Sequence, residues 1–260
     1  MELKDRIAVV TGPAKGMGAA ISTALAREGA DLVLVGRDVG AIEPVAADIV
    51  ELGRRSRIIA CDVTRPADVS AMAAQALAFG GGRIDILVNV AGGSGPIETP
   101  FWDTTPDEFD QIVELNMKGC FLTMRAVLST MMAQNYGKIV NIGGTFGLRG
   151  RALRMAYSAS KWGLRGITKS AALEAGPFNV NVNAVCPGMV EGPRFDRVCA
   201  ENARRLDISI EEARRRHAQE YALRRISTAN DVANAVVFLV SERARQITGQ
   251  DLAIDGGWVI

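Results

Sequence analysis

Ile7-Ala-Val-Val-Thr-Gly-Pro-Ala-Lys-Gly-Met-Gly18 is the stretch on which the fold of this chain turns. A short apolar run, Ile7–Val10, passes directly into three closely spaced glycines, and a helical pattern resumes over Met17–Glu28. Gly12, Gly16 and Gly18 leave the backbone free to turn tightly and to approach a phosphate. The unpaired N–H groups and dipole at the start of the helix then favour that anion. Lys15 and Met17 lie inside the same loop. The spacing is G-x-x-x-G-x-G, not the G-x-G-x-x-G of the general dinucleotide fingerprint, so its position between a buried strand and a helix carries the argument.

Outward from this loop the same alternation continues. Leu32–Val35, Arg57–Ala60, Ile84–Asn89, Lys138–Ile142 and Asn179–Val185 read as buried strands. Ala41–Leu52, Ala67–Phe79, Pro106–Gln134 and Ala156–Gly176 read as helices between them, and a helix at Asp231–Val240 leads to a last strand near Asp251–Ile254. Alternating strands and helices predict an α/β fold. The expected form is one doubly wound, Rossmann-like parallel sheet over residues 1–260, with helices on both faces. The rhythm breaks at 189–225, where charged helical stretches replace a strand–helix unit, and this segment is expected to form a small substrate lid.

Composition narrows the function classes. A net charge of +1 argues against nucleic acid as a partner. Arg214-Arg215-Arg216 sits beside Glu211, Glu212 and Glu220, which reads as a solvated helix face. Cys61, Cys120, Cys186 and Cys199 form no CxxC pair, and the one histidine, His217, is not at metal spacing, so no metal site is expected. No apolar stretch reaches the roughly 18 residues of a membrane span. A cytoplasmic protein with reduced thiols is the expectation.

Cofactor choice should fall at the end of the second strand. An NAD enzyme usually carries an acid there for the ribose 2′-hydroxyl. Here the position is Gly36, followed by Arg37, and Lys15 adds a second cation, so NADP(H) is favoured. Asp38 keeps NAD(H) open, should it face the ribose. Asp62, with Val63 beside it, can accept from the adenine amino group or serve the start of the next helix. Asn89-Val-Ala91-Gly92 brings a small-residue backbone close to the cofactor.

Tyr157-Ser-Ala-Ser-Lys161 opens the long helix after the fifth strand. Residues four apart share a helix face, so the phenol and the ammonium can lie side by side. A free tyrosine ionises near pH ~10; a neighbouring ammonium stabilises the phenolate and favours proton exchange at neutral pH. Reduction of a ketone by a nicotinamide requires such a proton donor, and oxidation of an alcohol requires a base at the same place.

With Thr11–Gly18, Asp62, Asn89–Gly92, Asn116, Tyr157/Lys161 and Pro187-Gly188 in this order, the chain resembles the short-chain dehydrogenase/reductase family. The resemblance implies an oxidoreductase interconverting a secondary alcohol and a ketone, frequently as a homotetramer. By it, Tyr157 donates or accepts the proton, and Lys161 lowers the tyrosine pKa and bonds the nicotinamide ribose. Asn116 holds a water that links Lys161 to solvent, and Pro187, Gly188 and Val190 flank the nicotinamide.

The pattern departs from the family at one chemical position. The serine that holds the substrate oxygen normally stands thirteen residues before the tyrosine, which here is Gly144. Val90 and Gly192 replace an asparagine and a threonine usual in the family. Thr145 could supply the missing hydroxyl, or the substrate or a water could fill the gap. A third reading is a catalytically weak NADP(H)-binding regulatory protein. Arg149, Arg151 and Arg154 lie between the fifth strand and the catalytic helix, and Arg194 follows Pro187-Gly188; they suggest an anionic small-molecule substrate.

Overall fold

Seven strands form the sheet: β1 (Ile7–Thr11), β2 (Asp31–Gly36), β3 (Ser56–Ala60), β4 (Ile86–Asn89), β5 (Gly137–Ile142), β6 (Val180–Pro187) and β7 (Asp251–Ile254). The computed structural model describes all 260 residues. All neighbouring strands are parallel, in the order β3-β2-β1-β4-β5-β6-β7. Strand order reverses between β1 and β4, and in open α/β sheets ligands bind at the carboxyl edge at such a point.

Side chains alternate along each strand, so the sheet buries a core on either face. Ala8, Val10, Leu32 and Leu34 pack beneath α1 (Gly16–Arg27), α2 (Glu43–Glu51) and α9 (Ala229–Val240). Val9, Val33 and Val35 pack against α3 (Pro66–Phe79), α5 (Gly119–Ala133) and α6 (Met155–Ala175). The doubly wound α/β architecture expected from the alternation is the one observed.

Several boundaries differ from expectation, each for a physical reason. The fourth strand starts at Ile86, not Ile84, because the fully buried Asp85 carboxylate serves as a clasp. It accepts from the Ile7 N–H at 2.9 Å and pairs with Arg6 and Arg83. Asn179 lies outside β6 in the left-handed conformation (φ 58°), and the strand instead runs on through Pro187, whose partner is Ile254.

The single helix expected over Pro106–Gln134 is interrupted. A π turn at Glu114–Lys118 separates α4 (Pro106–Val113) from α5. A π turn inserts one residue into the α-helical ladder and is frequent at functional sites. Asn116 sits in it.

Residues 189–225 contain α7 (Pro193–Leu206) and α8 (Ile210–Gln219). They share a small core of Phe195, Cys199, Ala203 and Ala213. The arginine run is a solvated face: Arg215 and Arg216 pair with Glu212, and Arg214 pairs with Asp196. No helix is long and apolar enough to cross a membrane. All four cysteines are free and buried. Burial pushes the Cys61 and Cys120 thiols up to about 11.

Candidate active site

The carboxyl edge of β1 carries the glycine turn. Gly12 has φ +67°, and a Cβ there would meet the Ala91 backbone at 2.9 Å. A Cβ on Gly18 would meet the Gly12 carbonyl oxygen at 2.0 Å, so α1 begins pressed onto the loop. Gly16 is the open position, with nothing within 4 Å of an added Cβ and φ +56°. Lys15 caps α1 with extended backbone and offers no side-chain cap, and no acid occupies the first turn. A tight turn, free N–H groups and an open approach fit a pyrophosphate. Thr11 ties this turn to the next loop: its Oγ1 accepts from the Val90 and Ala91 N–H groups at 3.1 Å each.

At the tip of β2, Gly36 pairs with Ala60 and carries no acid. Asp38 is turned to its own backbone, where Oδ1 accepts from the Ala41 N–H at 3.1 Å. Arg37 has a side chain 77% exposed, 4.0 Å from one Asp62 oxygen. The other Asp62 oxygen accepts from both the N–H and the hydroxyl of Thr64. The Thr64 N–H above all, with Arg37 helping, holds the Asp62 carboxyl below its ordinary range. Asp62 therefore serves local turn geometry as well as facing Arg37. Beside it, Val63 is buried against Gly119.

At the tips of β4 and β5 the polar side chains bond one another. Asn89 Nδ2 donates to Asn141 Oδ1 at 2.9 Å, Thr123 Oγ1 donates to Asn89 Oδ1 at 2.8 Å, and Asn141 donates on to Thr168. Such a buried, mutually satisfied network rigidifies the sheet edge. What Asn89 offers the site is thus backbone, since its amide is spent internally.

Tyr157 lies in the first turn of α6, and Lys161 one turn further on. Lys161 Nζ donates to the Ile142 carbonyl at 2.8 Å and lies 5.8 Å from the centre of the Tyr157 ring. No hydrogen bond joins Asn116 to Lys161. Its Oδ1 accepts from the Gly93 N–H at 2.8 Å, and its Nδ2 donates to the Gly93 carbonyl and to Ser160 Oγ, both at 3.1 Å. Ser160 in turn donates to the Tyr157 carbonyl. The π turn, the loop after β4 and α6 are joined through this one amide.

Gly144 faces the tyrosine hydroxyl: a Cβ built on it stands 3.0 Å from Tyr157 Oη. Its φ of 163° is extended backbone open to any residue. Thr145, the next residue, is buried at the start of a 3-10 turn (Thr145–Gly147). Phe146 packs edge-on against the Tyr157 ring at 6.2 Å.

Four arginines were expected on the substrate side, and the structure sorts them. Arg194 reaches Tyr157, its guanidinium carbon 5.6 Å from the ring centre. Arg149 does not; it stacks on Trp258 at 4.7 Å. Arg151 lies over Phe146. Arg154, at the start of α6, is the second arginine at Tyr157, 5.1 Å from the ring centre and only 7% exposed.

A family model described as Enoyl-(Acyl carrier protein) reductase matches residues 12–259. A short-chain dehydrogenase/reductase of Armillaria gallica is 36% identical over 260 residues, covering 98% of this chain and 97% of the relative. The chain belongs to the short-chain dehydrogenase/reductase family. It is an oxidoreductase of that family acting on hydroxyl and keto groups.

Among solved members of the short-chain dehydrogenase/reductase family, an NAD+-bound xylitol dehydrogenase superposes with a TM-score of 0.92 at 29% identity, covering 99% of this chain and 100% of its own. An actinorhodin polyketide ketoreductase with NADPH superposes with a TM-score of 0.90 at 31% identity, covering 97% of each chain. Sequence reasoning missed the supporting roles of Thr11, Ser160 and Asn141, because a polar residue carries no sign of which distant neighbour it will meet. It also set Arg154 level with Arg149, and only the course of the 143–154 loop separates them.

Proposed function

We propose that this member of the family is an NADP(H)-dependent oxidoreductase interconverting a secondary alcohol and a ketone, with Tyr157 moving the proton. One observation carries the reading. The Tyr157 hydroxyl faces Gly144 beside the anchored Lys161 ammonium, on the same sheet edge as the Gly12–Gly18 turn. When bound, a nicotinamide dinucleotide exchanges a hydride with the substrate carbon.

The residues of this chain do the rest. Lys15, Gly16, Met17 and the start of α1 hold the pyrophosphate, and Arg37 holds the 2′-phosphate. Asp62 and Val63 border the adenine, while the backbone from Asn89 through Ala91 to Gly92 lines the middle of the cleft. Lys161 bonds the nicotinamide ribose and keeps a cation beside the phenol. Pro187, Gly188 and Val190 border the nicotinamide, and α7–α8 close over the substrate as a lid.

Asn116 fixes Gly93 and, through Ser160, the first turn of α6, so the π turn positions Tyr157. We read a water, held by the π turn, as the link from Lys161 to solvent.

Three features support NADP(H) over NAD(H). The tip of β2 has no acid, Arg37 is exposed there, and the Asp38 carboxylate is turned into its own loop. Gly144 favours a second reading, a weak catalyst that binds the cofactor and senses it, because the residue facing the Tyr157 hydroxyl has no side chain.

Fluorescence titration with NADPH and NADH, followed by absorbance assays with ketones, secondary alcohols and hydroxy acids, tests both readings. Tighter NADPH binding and measurable turnover are expected. Tighter NADH binding overturns the cofactor assignment, and tight binding without any turnover favours the sensor.

Exposed apolar residues Phe121, Trp162, Leu173 and Phe178 lie on α5, α6 and the turn that follows α6. We assign this surface to self-association. A dimer or tetramer by size-exclusion chromatography with light scattering is expected, and a monomer at micromolar concentration contradicts it.

A further inference from the structure

Two guanidinium groups flank the one tyrosine ring. Arg154 stands at the start of α6 and Arg194 in the first turn of α7, with their central carbons 5.1 and 5.6 Å from the centre of the Tyr157 ring. Neither pairs with any carboxylate of the chain, in contrast to Arg214, Arg215 and Arg216, which all do.

Arg154 is more than nine-tenths buried. One of its terminal nitrogens donates to the Ser94 carbonyl at 3.0 Å, while its Nε is buried with no partner. Burial first, and Arg194 second, push the Arg154 guanidinium below its ordinary range; Tyr157 and then Glu98 oppose this, and Arg151 acts with Arg194. Glu98 is itself paired with Arg205. The first turn of α6 contains no acidic residue and has no side-chain cap. The surroundings of Tyr157 therefore carry three cations, Arg154, Arg194 and Lys161, and one helix N-terminus, and no carboxylate of the chain pairs with any of the three.

We infer that the substrate carries a carboxylate within a few bonds of its reacting carbon, and that Arg154 and Arg194 hold it there as specificity-determining residues. This rests on the oxidoreductase reading above. A guanidinium holds a carboxylate through two parallel N–H groups. Arg194 is exposed on α7 and Arg154 is tied to the Ser94 carbonyl, so the two arms come from different elements, one buried and one open to solvent. Anchoring a remote anion also orients the keto group toward Tyr157. That grip substitutes for the hydroxyl that Gly144 lacks.

The test compares 2-oxobutanoate, 3-oxobutanoate and 4-oxopentanoate with their methyl esters, using the NADPH-loaded protein. The readouts are kcat/KM, the KM for NADPH, and calorimetric binding of each compound to the loaded protein. At least one acid is expected to exceed its ester by about 10- to 100-fold, the range of a charge-assisted hydrogen-bonded pair. In Arg194→Gln and Arg154→Gln that acid-to-ester ratio should fall below about threefold, chiefly through KM for the acid. Arg194 is exposed, so its variant keeps the test alive if the buried Arg154 variant misfolds.

Acids and esters turning over alike would overturn the inference and leave the oxidoreductase reading standing. A rise confined to the KM for NADPH would assign the arginines to the cofactor and overturn it too. If nothing turns over, calorimetry decides: acids binding without their esters supports the anion site, and no preference for acids rejects it.

Discussion

A serine at position 144 restores the hydroxyl opposite Tyr157 and measures what its absence costs. The backbone there is extended, so the substitution brings no conformational strain. The new Cβ meets Tyr157 Oη at 3.0 Å, and the tyrosine hydroxyl must give by a few tenths of an ångström. One oxyanion donor is worth about 10²–10³ in kcat, and the crowding at Oη returns part of that gain. Gly144→Ser should therefore raise kcat about 10-fold or more on a neutral ketone. Gly144→Ala introduces the same Cβ without the hydroxyl, and its kcat should stay at or below that of the wild-type protein. Steady-state rates of NADPH consumption for the three proteins, with a keto acid and its methyl ester, give the comparison. The gain should be larger for the ester, which has no anion for Arg154 and Arg194 to hold. A serine variant no faster than the alanine variant would mean that another group already holds the substrate oxygen, and the reasoning would fail.

The remaining expectations concern the cofactor, the lid and the π turn. Arg37→Gln should weaken NADPH binding by about 10- to 100-fold, as expected for loss of a charge-assisted phosphate contact, while NADH binding moves little; equal losses would contradict the assignment. His217 is buried among Phe195, Tyr221 and Trp258, with Nε2 unpartnered, and burial holds its pKa below the ordinary value, against the pull of Glu220 and with help from Arg151. The unfolded chain thus takes up a proton that the folded ring refuses, so this contribution to stability is full above about pH 6.5 and declines as pH falls through it. Thermal melts between neutral and acid pH should show a smaller loss in His217→Gln than in the wild-type protein; parallel curves would contradict this. Asn116→Ala unpairs the Gly93 N–H and carbonyl, at a cost of about 1–3 kcal/mol for each group left unsatisfied, and should lower both Tm and activity. Loss of activity with an unchanged Tm would assign Asn116 a purely chemical role.

Much of this architecture is legible in the chain because its signals are local. The Ile7–Gly18 stretch reads as strand, turn and helix from neighbouring residues alone, and Tyr157 and Lys161 share a helix face whatever surrounds them. The features that escape depend on distant partners. Asp85 looks like part of a strand until Arg6 and the Ile7 N–H close on it. The π turn at Asn116 shifts the helical pattern by one residue, too little for periodicity to separate from one long helix. Arg149 and Arg154 are equivalent as residue types, and only the packing of Trp258 and the Ser94 carbonyl sends one away from Tyr157 and keeps the other beside it. His217 sits in a run of charged residues that carries no sign of burial, yet α8 turns it into the aromatic cluster. The apolar surface on α5 and α6 is a matter of which residues the neighbouring helices leave uncovered.

The central claim is that Tyr157 moves the proton in an NADP(H)-dependent interconversion of alcohol and ketone. Tyr157→Phe keeps the ring that packs against Phe146, Arg154 and Arg194 and removes only the hydroxyl. The measurement is the single-turnover rate of NADPH oxidation by a turned-over ketone in the two proteins, each shown by titration to bind NADPH. The account predicts equal cofactor binding and a rate lowered by about 10²–10⁴, the contribution of a positioned general acid. Equal rates in the two proteins would contradict it.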